Sequence, residues 1–232
     1  MVKIGVPLRY SHLDDKRCIL YLGERVRRTL QNAGAMVFPI VQVHDTDYAD
    51  TKFDQFQELT DSQKEMIEMY LDMVDGVLIP GGNKVTPFDQ YLLERCIDRN
   101  IPTLGVCLGM QLMSCYKENF KVYEIDSDIN HCQDDNFTLT HKVYIKEGSL
   151  LYKIVGKKEI MVNSFHHYHA SENAYCNISA VSEDGYIEGI EMKNTTFHLG
   201  VQWHPEISYD FDENSRKIID YFLDICSKNE KM

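Results

Sequence analysis

The sequence predicts an α/β fold built on a parallel sheet, and two patterns carry that expectation. In the amino-terminal half, short apolar runs alternate with amphipathic stretches from residues 3–6 through to residues 103–106. Strands alternating with helices at this spacing form parallel sheets through right-handed crossovers. Two of the apolar runs also end in glycine-rich bends, at Pro80-Gly81-Gly82 and around Cys107. Ligands gather at the carboxyl ends of strands in such sheets.

The elements follow in order. Residues 3–6 read as the first strand. Ile19, Leu22, Val26 and Leu30 recur at helical spacing, and Gly34 supplies a C-cap. Residues 36–40 form a second strand, residues 45–61 a polar loop, and residues 62–73 a helix. Residues 75–79 are a third strand, 88–98 a helix, and 103–106 a fourth strand running into Cys107, after which a further helix begins. Beyond residue 120 the texture changes to short strand-like runs separated by turns, over residues 137–145, 159–163, 175–181, 186–191 and 196–202. The chain closes in an amphipathic helix with Ile218, Phe222 and Ile225 on one face. No internal repeat, low-complexity tract or linker interrupts it, so residues 1–232 are expected to form a single domain.

Composition narrows the function. The 232 residues carry 24 Lys and Arg against 36 Asp and Glu, a net charge of −12. An acidic surface without a basic stripe repels phosphate backbones, which sets nucleic-acid binding aside. No apolar run approaches the roughly 20 residues of a membrane span. The start lacks a charged region followed by an apolar one, so no secretory signal is read. Seven cysteines, an odd number with no C-x-x-C pair, are expected to be reduced thiols of a cytoplasmic protein.

Three segments could do chemistry. Gly105-Val106-Cys107-Leu108-Gly109 places a thiol between two glycines where a buried strand turns into a helix. A nucleophile on such a bend needs close backbone approach, the logic of the Gly-x-Ser-x-Gly elbow. The unpaired N–H groups of the following helix favour thiolate and a developing oxyanion. The bland alternative is a buried cysteine beside packing glycines. Trp203-His204-Pro205-Glu206 supplies an imidazole, and Pro205 biases His204 towards extended geometry. Glu206, two residues on, would then reach the back of the ring and hold its tautomer. Pro80-Gly81-Gly82 offers a glycine N–H, with that of Leu108, as an oxyanion hole, or else an ordinary turn. His166, His167 and His169 invite a metal reading, but no upstream Cys/His pair has zinc-finger spacing. Packing and hydrogen bonding are the expected roles, with no metal.

Taken together, Pro80-Gly81-Gly82, the run from Gly105 to Gln111, and Gly200-Val201-Gln202-Trp203-His204-Pro205-Glu206 resemble, in order and spacing, the class I glutamine amidotransferase-like superfamily. Val162-Asn163-Ser164-Phe165-His166-His167 and the run from Asp184 to Glu191 resemble its gamma-glutamyl-gamma-aminobutyrate hydrolase branch. Gly81-Gly82-x-x-Val85-x-Pro87 echoes that branch, as does His141-x-Val143 ahead of Gly148-Ser149-Leu150. The resemblance implies a central, mostly parallel sheet flanked by helices, with a small antiparallel β element near the site. It implies a catalytic triad of Cys107, His204 and Glu206. Three positions depart from the branch. Leu108 stands where an arginine is usual, Lys84 where an acidic residue is, and Tyr168 where a glutamine is.

The implied reaction is hydrolysis of a γ-glutamyl amide. Cys107 attacks the γ-carbonyl, and the Gly82 and Leu108 N–H groups hold the oxyanion. His204 protonates the departing amine, leaving a γ-glutamyl thioester, and then activates water. Gln111 would shape the glutamyl pocket, and Ser164 and Phe165 would add substrate contacts. No metal or organic cofactor is needed. The expected partner is a small γ-glutamyl compound, and the reading leaves room for a homodimer. Two alternatives stay open. One is a glutaminase subunit passing ammonia to a synthase partner, which Leu108 favours. The other is a catalytically silent binding module on the same fold.

Overall fold

The computed structural model describes residues 1–44 and 56–228. In chain order, β1 (Lys3–Pro7) leads into a hairpin of β2 (Arg9–His12) and β3 (Cys18–Tyr21), then α1 (Glu24–Asn32) and β4 (Met36–Ile40). Next come α2 (Asp61–Asp72), β5 (Gly76–Ile79), α3 (Pro87–Asp98), β6 (Thr103–Val106) and α4 (Leu108–Ser114). The second half holds β7 (Tyr123–Glu124), β8 (His141–Ile145), α5 (Leu150–Val155), β9 (Glu159–Val162) and β10 (Tyr168–His169). It ends with β11 (Cys176–Ser182), β12 (Ile187–Met192), β13 (His198–Val201), α6 (Pro205–Ser208) and α7 (Glu213–Lys228).

Nine strands form one sheet in the order β4-β1-β5-β6-β13-β12-β11-β8-β9. The pairings from β4 to β13 are all parallel, and the remaining ones are antiparallel. By direction the sheet is mostly parallel, with β12 and β8 running against the rest. β13, from late in the chain, lies beside β6, so both halves share one sheet. Two small antiparallel pairs, β2–β3 and β7–β10, stand apart from it.

Alternation along the buried strands sorts the core into two layers. Leu78, Leu104 and Val106 pack with Val26, Leu30, Ile218 and Phe222, under α1 and α7. Val77 and Ile79 pack with Ile67, Leu71, Phe88 and Leu92, under α2 and α3. Each such side chain contributes roughly 1.5–3 kcal/mol on burial. In α7, Ile218 and Phe222 are fully buried as expected, while Ile225 is only half-buried. No helix among the described residues is long and apolar enough to cross a membrane.

Three local expectations change. Ile19 lies in β3, not in a helix, because residues 18–21 pair with residues 9–12 across a turn. The helix starts only at Glu24, and it does end before Gly34, which takes φ +88°. Residues 137–140 are not strand, because the Asp135 carboxylate accepts from the backbone N–H groups of Phe137 and Thr138 and turns the chain there. Of the expected loop at 45–61, residues 45–55 lie outside the described residues, and Asp61 opens α2 behind a Thr60–Gln63 capping box.

Candidate active site

The site forms at the carboxyl ends of β5, β6 and β13. As β6 ends, Cys107 takes φ 51° and ψ −104°, and α4 begins at the next residue. A positive φ at a non-glycine residue costs about 1–3 kcal/mol and persists only where the surroundings enforce it. Here the Cys107 N–H donates to the Val201 carbonyl at 2.9 Å, tying the bend to β13. The flanking glycines are required by packing. A Cβ on Gly109 would fall 2.2 Å from the Ile79 oxygen, and one on Gly105 would fall 2.8 Å from the Gly109 carbonyl. The helix therefore lies directly on the strand ends, with the thiol at its cap.

His204 arrives from the end of β13. It is not the extended residue of the sequence reading but the cap of α6, with φ −112° and ψ 83°, and Glu206 sits in the first turn of that helix. The predicted pairing forms all the same, with His204 Nδ1 donating to Glu206 Oε1 at 2.7 Å. The ring is 12% exposed and the carboxylate 4%. Burial works against the imidazolium, but the Glu206 charge and hydrogen bonds with Cys107 and Glu206 outweigh it, raising the His204 pKa to about 10. Cys107, His204 and Glu206 thus meet in one chain of contacts. By contrast, burial pushes the thiols of Cys96 and Cys176 up to about 12, which leaves them protonated and inert.

Several residues that hold this set were not singled out from sequence. Asn163 brackets the His204 backbone, accepting its N–H and donating to its carbonyl, both at 2.8 Å. Thr29 of α1 donates to the Glu206 carbonyl at 2.7 Å. Arg9 of β2 is buried and donates to Asp89 Oδ1 and to the Pro80 carbonyl, each at 2.7 Å, fixing the bend after β5. Nothing in a linear pattern marks Arg9, since its partners lie about 70 to 80 residues away. Gly81 is the residue of that bend wedged between the other two. A Cβ there would lie 2.8 Å from His204 Cε1 and 3.5 Å from Cys107 Cβ. Gly82 lies against Leu108, whose side chain a Cβ on Gly82 would meet at 3.3 Å. Leu108 is the first helical residue, so its N–H has no acceptor within the helix.

Two cavities, of about 390 and 460 Å³, meet at Cys107 and share Gly82, Asn83 and Phe165. The first also reaches Arg25, His204 and Glu206, and the second Leu108, Gln111 and Tyr168. Gln111 is buried, with Nε2 donating to the Tyr168 carbonyl at 2.9 Å and to Gln202 at 3.1 Å. Phe165 faces the site, its ring edge-on to His204 at 5.6 Å. Ser164 does not reach either cavity. It is fully buried, its N–H and carbonyl are both paired with Gln133, and its hydroxyl donates to the His131 carbonyl. His166, His167 and His169 point to separate places, and the last two take the packing and hydrogen-bonding roles expected of them. His167 lies 3.4 Å from the Cys132 sulfur, and His169 packs on Tyr123 and Tyr186. His166 turns instead towards His131, His141 and Glu188.

This fold and bend define a class I glutamine amidotransferase-like protein. Residues 88–206 match the family model Peptidase C26, and the chain belongs to that family. Protein NtpR of Enterococcus hirae is 28% identical over 192 residues, covering 70% of this chain and 79% of that protein. Gamma-glutamyl-gamma-aminobutyrate hydrolase PuuD of Escherichia coli is 25% identical over 195 residues, covering 71% and 77%. Among solved structures, the glutaminase domain of the Trypanosoma brucei CTP synthase, with bound acivicin, superposes with a TM-score of 0.66 at 18% identity. It covers 100% of this chain and 96% of that one. The family and the hydrolase relative support a hydrolase.

Proposed function

We propose that the protein hydrolyses the γ-glutamyl amide bond of a small γ-glutamyl compound, releasing glutamate and an amine. The observation that carries this reading is the convergence of Cys107, Gly81 and the His204–Glu206 pair where two cavities meet. Cys107 attacks the γ-carbonyl, and the N–H groups of Gly82 and Leu108 hold the oxyanion as the carbonyl becomes tetrahedral. His204 gives a proton to the departing amine, so the amine leaves on the side of the cavity that His204 lines. The glutamyl group then occupies the Gln111 side as a thioester on Cys107. His204, now neutral, takes a proton from water, and glutamate departs. Glu206 orients the ring and stabilises its charge without itself moving a proton. A panel of γ-glutamyl amides, assayed for released glutamate, tests the reading.

A second reading is a glutaminase that delivers ammonia to a synthase. Leu108 after the nucleophile supports it, as does the likeness to a CTP synthase domain. Free glutamine would then be the best substrate, and turnover would rise with a synthase present. Faster cleavage of larger γ-glutamyl amides by the isolated chain favours the first reading.

A further inference from the structure

Behind the active-site wall, four buried side chains point at one spot. His131, His141, His166 and Glu188 each offer a ligand atom, and these atoms lie within 4.8 Å of one another. None of the four side chains is more than 3% exposed. Glu188 Oε1 sits 3.5 Å from His131 Nδ1, 3.5 Å from His166 Nε2 and 3.7 Å from His141 Nε2. Among the described residues, none of these nitrogens, and neither Glu188 oxygen, has a hydrogen-bond partner.

The other nitrogen of each ring is engaged. His131 Nε2 faces Asp184 Oδ2 at 2.9 Å, His166 Nδ1 faces the Tyr168 carbonyl at 3.1 Å, and His141 Nδ1 faces the Lys142 carbonyl at 3.4 Å. All three outer partners are acceptors, so the outer nitrogens carry the protons. That leaves three lone pairs and a carboxylate oxygen facing one another in the buried interior, where one shared proton cannot serve three nitrogens. A cation resolves the arrangement. Bonds of about 2.1 Å in tetrahedral directions separate neighbouring ligand atoms by roughly 3.4 Å, close to the 3.5–3.7 Å from Glu188 Oε1 to each nitrogen here. The outer acceptors are those that orient metal-bound imidazoles.

We infer that His131, His141, His166 and Glu188 bind one divalent transition-metal ion, zinc by preference, in a four-coordinate site. Three imidazoles and one carboxylate suit zinc, and four protein ligands make a closed, structural site with no position left for substrate. The ion would clasp β8 and β12 to the segments that carry His131 and His166. His166 itself lines the cavity at Cys107, and its neighbour Phe165 packs on His204. The clasp would therefore set the wall of the active site. It replaces the sequence expectation of a protein without metal, and it stands whether or not Cys107 is a nucleophile.

The test uses the full chain, stripped with chelator and reloaded with zinc or cobalt(II). Elemental analysis is expected to find one zinc per chain, and cobalt(II) to give the visible absorption of a four-coordinate nitrogen–oxygen site. Zinc at a hundredfold excess over its Kd should raise Tm by about 5–10 °C. Glu188→Gln and His141→Asn should lose the bound metal, and Asp184→Asn should weaken zinc binding by about 10–100-fold. Cys107→Ala and Cys132→Ser should keep it, which separates this site from thiol binding. The inference is overturned if the reloaded wild-type chain shows neither the cobalt spectrum nor a Tm shift. It is equally overturned if Glu188→Gln retains full stoichiometry. Should the ligand variants fail to fold, the wild-type spectrum and Tm alone decide.

Discussion

A methyl group on Gly81 would stand 2.8 Å from Cε1 of His204, closer than carbon atoms tolerate. Gly81 has no positive φ, so its backbone accepts alanine and the crowding falls on the imidazole. Gly81→Ala should lower kcat by up to about 10²-fold, the effect of a misplaced catalytic group, with little change in Tm. Steady-state kinetics beside thermal melting checks this. Unchanged kcat would mean that the ring's position does not matter to turnover.

Cys107→Ala should abolish glutamate release and leave the fold intact, whereas Cys115→Ala should do little. Cys115 is buried, and its sulfur exchanges hydrogen bonds with Ser114 and the backbone of Lys121. The bend adds a second expectation. Because φ at Cys107 is +51°, Cys107→Gly should be at least as stable as Cys107→Ala in urea unfolding, with about 1 kcal/mol of relief against glycine's usual penalty.

The His204–Glu206 pair predicts a pH dependence. His204 has a folded pKa of about 10, above its ordinary 6.5. Its contribution to stability is therefore fully present below about pH 6.5 and is lost as pH rises towards 10. Glu206→Gln should flatten that fall, measured as urea stability of both proteins between those limits. In kinetics Glu206→Gln should cost up to about 10⁴-fold in kcat, and His204→Ala should cost more, since in the proposed mechanism Glu206 orients the ring and His204 moves the proton.

Asp89→Asn should leave the Arg9 guanidinium buried beside the Pro80 carbonyl without its counter-charge. Breaking a buried pair from one side costs about 3–5 kcal/mol, which urea unfolding would register. Turnover should fall as well, because Arg9 fixes the bend that carries Gly81 and Gly82. Full stability in Asp89→Asn would contradict that role.

Legibility in the sequence followed the range of the interactions. Strands β4, β5 and β6 and helices α2 and α3 could be read because their apolar spacing is local and the bend after β5 uses Pro80, Gly81 and Gly82. Cys107, His204 and Glu206 stood out because their neighbours need glycine or proline. The hairpin of β2 and β3 was hidden, since Ile19 and Leu22 satisfy a helical period until residues 9–12 are known to pair with residues 18–21. Arg9 and Asn163 were equally hidden, because their partners lie at least 41 residues away. The His131–His141–His166–Glu188 cluster fails every local spacing rule, since its members come from four separate segments that the sheet brings together.

In the proposed mechanism Cys107 carries the glutamyl group. Acid-quenching the protein during turnover of a γ-glutamyl amide, then mapping peptides by mass spectrometry, tests it directly. A glutamyl adduct on the peptide containing Cys107, labile to hydroxylamine, is the expected result. Continued turnover with Cys107 unmodified, or an adduct on another residue, would contradict it.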